Sequence, residues 1–346
     1  MDSEQQNRLN STVWEKTPVP CKVKVNGETY SSQINYAGKS TIDDLKKSYT
    51  IQFDDKTYKG HHSYRLSAQN LDPTLLKAQL GFEIFRSLGI PSPDAEPAAV
   101  YLNREYIGLF QLIEPVDIDF FRRRNLDFSS LFKAQYGNAD FDKKMLAKID
   151  QGFDIEFKPK SYHELTALIE TLENSRLTND LKDVESMVDV DNSMAYLAAS
   201  VALNNWDGYQ NNFFLYRDTK TKQFAFVPWD LDRTLELEAS NMFEPDITIW
   251  GKNKLFAFIL TDLEHKRAYL DLLEQIITKS YPLSKMFAII EENSSKIRRA
   301  YEADRMLNHK TSLFVEKERL KQTIELWYGS LEQELKRQQQ DSVEVK

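Results

Sequence analysis

The hydrophobic pattern of this chain changes period once, at Glu114-Pro115-Val116-Asp117, and that change limits the folds open to it. Before it lie short runs with strand character: Cys21 to Val25, Ser31 to Tyr36, Tyr49 to Phe53, Tyr64 to Ser67, Ala98 to Leu102 and Ile107 to Ile113. Asn26-Gly27 and Asn103-Arg104 fall where hairpin turns are needed. One helical pattern interrupts them. Asp72 is a good N-cap, Pro73 suits the first helical position, Leu75 to Leu88 supply an apolar face, and Gly89 ends it. After Asp117 the period is helical over Tyr162 to Glu173, Ser193 to Asn204, Phe256 to Thr278, Leu283 to Ala303 and Ser312 to Arg337. A single hairpin, Phe213 to Tyr216 with Phe224 to Val227, breaks that run.

The class implied is α+β, in two lobes. Residues 1–114 form a strand-rich N-terminal lobe with one long helix, assigned to nucleotide binding, and residues 115–346 a helical catalytic lobe. A hairpin close to the junction completes the layout of a protein kinase-like fold. The 346 residues, 41% hydrophobic and 12% aromatic, suffice for two sizeable cores. Acidic residues outnumber basic ones 53 to 45, for a net charge of −8, which argues against nucleic-acid binding and suits basic partners. Cys21 is the sole cysteine, so no internal disulfide can form, and a cytoplasmic setting is expected. Neither an apolar signal core nor a membrane-length run is present, and oligomeric state leaves no mark in the sequence.

The chemistry concentrates in Asn205-Trp206-Asp207-Gly208-Tyr209 with Asn212, followed through the hairpin by Pro228-Trp229-Asp230-Leu231-Asp232. An Asp, an Asn five positions on, a short apolar hairpin and a second acidic pair are what metal-dependent phosphoryl transfer requires: one carboxylate for the attacking hydroxyl, and an Asn and an Asp for Mg²⁺. Isolated Asx residues beside glycine more often cap turns. Here the hairpin and the second acidic cluster favour the catalytic reading, with Asp207 as catalytic group and Asn212, Asp230 and Asp232 as metal ligands. Spacing alone leaves Asp230 and Asp232 unseparated.

Tyr36 to Thr41 invites a phosphate-loop reading but lacks the upstream glycine and the following helix. As a turn between strands it offers Gly38 and Lys39 to nucleotide phosphates. Lys47 enters the next strand and is the expected α,β-phosphate ligand, with Glu83 as its helix carboxylate; Lys46 is the more solvated of the pair, and Arg65 competes for the phosphates. Glu114 lies where an adenine would meet backbone groups. Arg122-Arg123-Arg124 reads as a solvated helix face. The five histidines show no metal-ligand spacing.

From about Trp14 to about Leu272 the chain resembles the CotH kinases, the spore coat protein H family of atypical protein kinases. The matching stretches are Lys46-Lys47-Ser48-Tyr49, Asn70-Leu71-Asp72-Pro73-Thr74, Leu88-Gly89-Ile90-Pro91-Ser92-Pro93, Tyr101-Leu102-Asn103 with Tyr106-Ile107-Gly108-Leu109, Glu114-Pro115-Val116-Asp117, and the two acidic motifs above. The resemblance implies ATP and Mg²⁺, phosphate transfer to Ser or Thr of partner proteins, basic Ser-rich coat proteins as those partners, and a place in the spore coat during sporulation. It makes Asp207 the catalytic Asp, Asn212 the metal-binding Asn and Asp230 the metal Asp. The chain departs from the family at Ala37, where Arg is usual, and at Gly38-Lys39-Ser40, where Gly-Ser is frequent. Two other classes remain open at this point: a non-catalytic coat scaffold, and a kinase-like nucleotidyltransferase.

Overall fold

In a computed structural model the described residues are all of 1–346 except Ser40, 158–159, 238–248, 308–310 and 345–346, and the side chains of 341–344. The class is α+β, with two antiparallel sheets. The chain forms two compact units. The first comprises Met1–Gln79, Pro93–Asn125 and Ile290–Glu318; the second comprises Leu80–Ser92, Leu126–Ile289 and Arg319–Lys346. Each unit is thus assembled from three stretches, where the sequence pattern suggests one crossing at 114/115.

In the first unit, β1 (Val19–Val25), β2 (Glu28–Ala37), β3 (Ser48–Phe53), β4 (Ser63–Ser67), β5 (Ala95–Leu102) and β6 (Glu105–Ile113) make one sheet in the order β1-β2-β3-β4-β6-β5. Register follows the alternation of the sequence: Tyr36 faces Tyr49, and Ile34 faces Ile51. Tyr30, Phe53, Tyr58 and Tyr64 meet in tilted and edge-to-face pairs at 5.1–6.4 Å and belong to the core of this sheet. Helix α1 (Ser3–Ser11) opens with a full capping box between Asp2 and Gln5.

The helix expected from Asp72 begins five residues late, as α2 (Lys77–Ser87). Leu75 takes a left-handed φ of 58°, which an α-helix cannot contain. Asp72 still serves that start. Its carboxylate accepts from Thr74 N and from Lys77 N, both at 2.8 Å.

Most of α2 belongs to the second unit, where Phe82, Ile84 and Phe85 are fully buried. Each such side chain contributes roughly 2–3 kcal/mol. Gly81 lets the helix approach closely: a Cβ there would lie 2.6 Å from Leu231 Cδ1. The turn carrying Leu231 also carries the second acidic pair, so α2 buttresses it from behind.

The second unit also holds a four-stranded sheet, β10-β9-β7-β8, from β7 (Phe128–Ala134), β8 (Phe153–Ile155), β9 (Phe213–Asp218) and β10 (Phe224–Pro228). The β9–β10 hairpin matches the sequence pattern; β7 and β8 do not stand out in it, because β7 is too continuously buried to alternate and β8 is three residues long. Helix α3 (Ile118–Arg123) belongs to the first unit; α4 (His163–Thr178), α5 (Lys182–Met187) and α6 (Val190–Ala202) belong to the second. The helical run from Phe256 divides into α7 (Lys254–Ile259) and α8 (Leu263–Gln275), because Asp262 caps a new start by accepting from Glu264 N and His265 N. Then come α9 (Leu283–Ala303) and α10 (Leu313–Glu344). Tyr196 of α6, with Phe213, Phe226 and Phe256, forms the aromatic centre under the hairpin. No helix among the described residues is long and apolar enough to cross a membrane.

Candidate active site

Helix α6 ends at Ala202, and the chain then turns sharply through Asn204, at φ 45°. Asx side chains tolerate this region better than other non-glycine residues. Asn205 N donates back to Ser200 O at 2.7 Å, and a single 3₁₀ turn, Trp206–Tyr209, follows. Tyr196 pins that turn by donating to Gly208 O at 2.9 Å, and Asn253 Nδ2 donates to Tyr209 O at 3.0 Å. Gly208 lets the Asn205 side chain pack against the turn, since a Cβ would sit 2.1 Å from the Asn205 amide nitrogen and displace it. Asp207 is thereby fixed at the mouth of the hairpin on a backbone held from two sides.

Its carboxylate receives two amides. Asn212 Nδ2 donates to Oδ2 at 2.8 Å, and Asn211 Nδ2 donates to Oδ1 at 3.2 Å. The amide orientation of Asn212 leaves its Oδ1 as the oxygen available to a cation. Asn212 O accepts from Trp229 N at 3.1 Å, which ties this loop to the start of the acidic arm. Asn212 and Asp230 both adopt left-handed backbone, at φ 51° and 54°. Such conformations persist where the surroundings enforce them.

The electrostatics mark Asp207 as a stressed acid. Burial pushes its pKa above the usual carboxylate range, and the negative charge of Asp230 adds to that; Asn211 and Arg233 oppose it. A buried carboxyl raised in part by a neighbouring carboxylate charge fits a divalent cation with hard oxygen ligands. Asp207, Asn212 Oδ1 and Asp230 are an all-oxygen set of that kind. Asp230 is exposed, whereas Asp232 is 9% exposed, inside the 3₁₀ turn Leu231–Arg233.

Two contributors escaped the sequence reading. Asn211 is the second amide on Asp207, and its only signal was adjacency to Asn212. Arg233 is the cation that offsets Asp207, and its guanidinium lies 4.4 Å from the Trp206 ring centre.

The residues expected to hold phosphate lie in the first unit. An added Cβ on Gly38, at φ 112°, would come within 3.8 Å of Arg65 Nη2, so that glycine and that arginine are neighbours. Lys39 is exposed, and Lys16 Nζ donates to Gly38 O at 2.6 Å. Ser40, in the same turn, lies outside the described residues.

The lysine pair departs from expectation. Lys46, taken as the more solvated, is 2% exposed. Its ammonium donates to Asp304 Oδ2 at 2.7 Å and to Leu109 O, over the Phe110 ring. Lys47 donates to Ile42 O and Asp44 O, both at 2.8 Å. The lysine–carboxylate pair observed is therefore Lys46–Asp304, while Glu83 bonds to Tyr281 within the second unit.

Glu114 is fully buried. Its amide donates to Asp94 O at 2.8 Å, which leaves its carbonyl as the backbone group in play. Arg124 grips its carboxylate with two bonds of 2.7–2.8 Å, and Arg123 adds a third at 3.2 Å. Against the cost of burial, His61, Arg124 and the Asp94 amide hold the Glu114 acid far below its ordinary value, at about 2. The arginine triplet is thus no merely solvated face: two of its members neutralise a buried acid.

Residues 34–344 match the family model of the CotH kinase proteins. The chain belongs to the CotH kinase family. Among curated relatives of this CotH chain, the inner spore coat protein H of Bacillus subtilis (strain 168) is 29% identical over 303 residues, covering 84% of this chain and 83% of the relative. Invasin CotH3 of Rhizopus delemar is 23% identical over 194 residues, 49% of this chain and 31% of the invasin. Among solved structures, the Helicobacter pylori proinflammatory kinase CtkA aligns with a TM-score of 0.38 at 11% identity, covering 84% of this CotH chain and 95% of CtkA.

Proposed function

We propose that this CotH-family chain is a protein kinase that transfers the γ-phosphate of ATP to serine or threonine of basic, serine-rich proteins of the spore coat. The observation that carries this reading is the clip of Asn211 and Asn212 on Asp207, with the Asp230 charge beside it. It holds one carboxylate where a substrate hydroxyl can be aligned and leaves oxygens of Asn212 and Asp230 for a cation. Asn212 Oδ1 and Asp230 would hold Mg²⁺, which would supply charge screening of the phosphates. Asp207 accepts the proton of the attacking hydroxyl, and the two amides fix its angle of approach. Positioning and charge neutralisation supply most of the rate, since phosphoryl transfer asks little covalent chemistry of the protein. Lys47, Arg65, Gly38 and Lys39 of the first unit are the candidates for the phosphates, and the Glu114 carbonyl is the candidate for the base. A place in the spore coat follows from likeness to the inner spore coat protein.

The test uses ATP labelled separately at the γ- and α-positions, Mg²⁺ and a basic Ser-rich peptide. Label from γ supports the kinase; label from α points to nucleotidyl transfer; absence of both points to a scaffold. Asp207→Asn lowers kcat by at least about 10²-fold, the scale of losing a general base. Retained activity in that variant removes the role given to Asp207.

A further inference from the structure

We propose a second metal site, distinct from the acidic arm, in which His61, Asp117 and Asp119 bind a first-row divalent cation of zinc type. One ligand atom from each of the three lies within 4.8 Å of the other two. Spacing along the chain hides the group, because His61 is more than fifty residues from the aspartates and only the fold unites them.

The imidazole is held rigidly. His61 closes a tight turn with Tyr58 through a reciprocal pair of 3.0 Å backbone bonds, and its ring stands edge-on to Tyr64 at 5.4 Å. The residue is completely buried. Its Nε2 lies 2.7 Å from Glu114 Oε1, an edge that Arg123 also reaches. In the tautomer whose Nε2–H donates to Glu114 the lone pair is on Nδ1, a buried nitrogen with no hydrogen-bond partner; in the other, Nε2 accepts from Arg123, and a cation at Nδ1 selects the former. A buried, unpartnered imidazole nitrogen beside two carboxylates is an uncompensated arrangement without a cation. A carboxylate behind the distal N–H is the usual support for a metal-bound histidine.

The aspartates are oriented as well. Asp117 caps α3, accepting from Asp119 N at 2.9 Å and Phe120 N at 3.2 Å, while Ser63 Oγ donates to its other oxygen at 3.2 Å. Asp119, 3% exposed, accepts from His62 N at 3.0 Å and Arg122 Nη1 at 2.6 Å and contacts His62 Nδ1 at 2.6 Å. One nitrogen and two oxygens suit zinc, and the imidazole disfavours Mg²⁺ and Ca²⁺. Tetrahedral zinc would draw the three atoms to about 3.3 Å apart. Half-buried Asp117 gives the ion its way in. The bound ion would staple the Tyr58–Ser63 turn to the start of α3.

The experiment takes full-length protein carrying Asp207→Asn and Asp230→Asn, so that the acidic arm cannot report, and strips it with chelator. Zn²⁺ is titrated in competition with a chromophoric chelator, and Co²⁺ is followed by its visible d–d band. One equivalent of Zn²⁺ is expected, with a Co²⁺ band of tetrahedral intensity. Adding His61→Gln or Asp119→Asn lowers Zn²⁺ affinity at least tenfold and removes the band. Asp117→Asn is the variant most certain to fold, since Asn caps helices as well as Asp does; it too loses affinity at least tenfold. Absence of a stoichiometric Zn²⁺ site, or one that Asp117→Asn leaves unchanged, overturns the proposal.

Discussion

At the residue scale, environment changes what a side chain can do. Cys21 is half-buried on β1, and burial, with a smaller contribution from Asp54, pushes its thiol up to about 11 in spite of the nearby N-terminal ammonium. At pH 8 almost none of it is thiolate. Alkylation of native protein by iodoacetamide is therefore expected to run at least about tenfold slower than for free cysteine, to rise as pH approaches 11, and to become ordinary in urea. Fast labelling of folded protein at pH 8 contradicts this. Asp207 shows how much of the site could be read without coordinates. Its spacing to Asn212 and the hairpin before Asp230 were visible, because they reflect local chain geometry. Asn211 and Arg233 were not, because their parts depend on rotamers around a 3₁₀ turn. Lys46 and Lys47 differ by one position on a strand entrance, and which one is buried depends on Asp304, far along the chain.

At the scale of elements, close approaches decide the strand and helix geometry. Gly108 enters β6 at φ 124°, and a Cβ there would lie 2.6 Å from Asp304 Oδ2. The same oxygen accepts from Leu109 N at 2.8 Å and holds Lys46. Gly108→Ala is expected to displace Asp304 and leave a buried ammonium unpaired, a loss of about 3–5 kcal/mol. Urea unfolding measures it, and a change below about 0.5 kcal/mol would refute the account. Such cross-chain fits explain the pattern of what was legible. The six strands of the first sheet stood out because each alternates or is bounded by turn residues. The late start of α2 did not, because good N-terminal helix signals at Asp72 and Pro73 gave way to the left-handed turn at Leu75, whose carbonyl accepts from Gln111 Nε2 at 2.6 Å.

At the scale of the whole molecule, the net charge of −8 favours encounter with basic partners. For a basic Ser-rich peptide, kcat/KM is expected to fall about tenfold between 50 and 500 mM salt, and to change little for a neutral peptide of the same length. Equal salt dependence for both removes charge as a selector. The α+β class was readable from the change of period at Glu114, since period reports local structure. The composition of the units was not, since nothing local announces that Ile290–Glu318 returns to the first sheet. That return sets a timetable for synthesis. The last strand of the sheet leaves the ribosome at Ile113, but the carboxylate that neutralises Lys46 arrives only with Asp304. At 5–20 residues per second roughly 10–40 s pass between the last strand of the sheet and the carboxylate that neutralises its buried lysine.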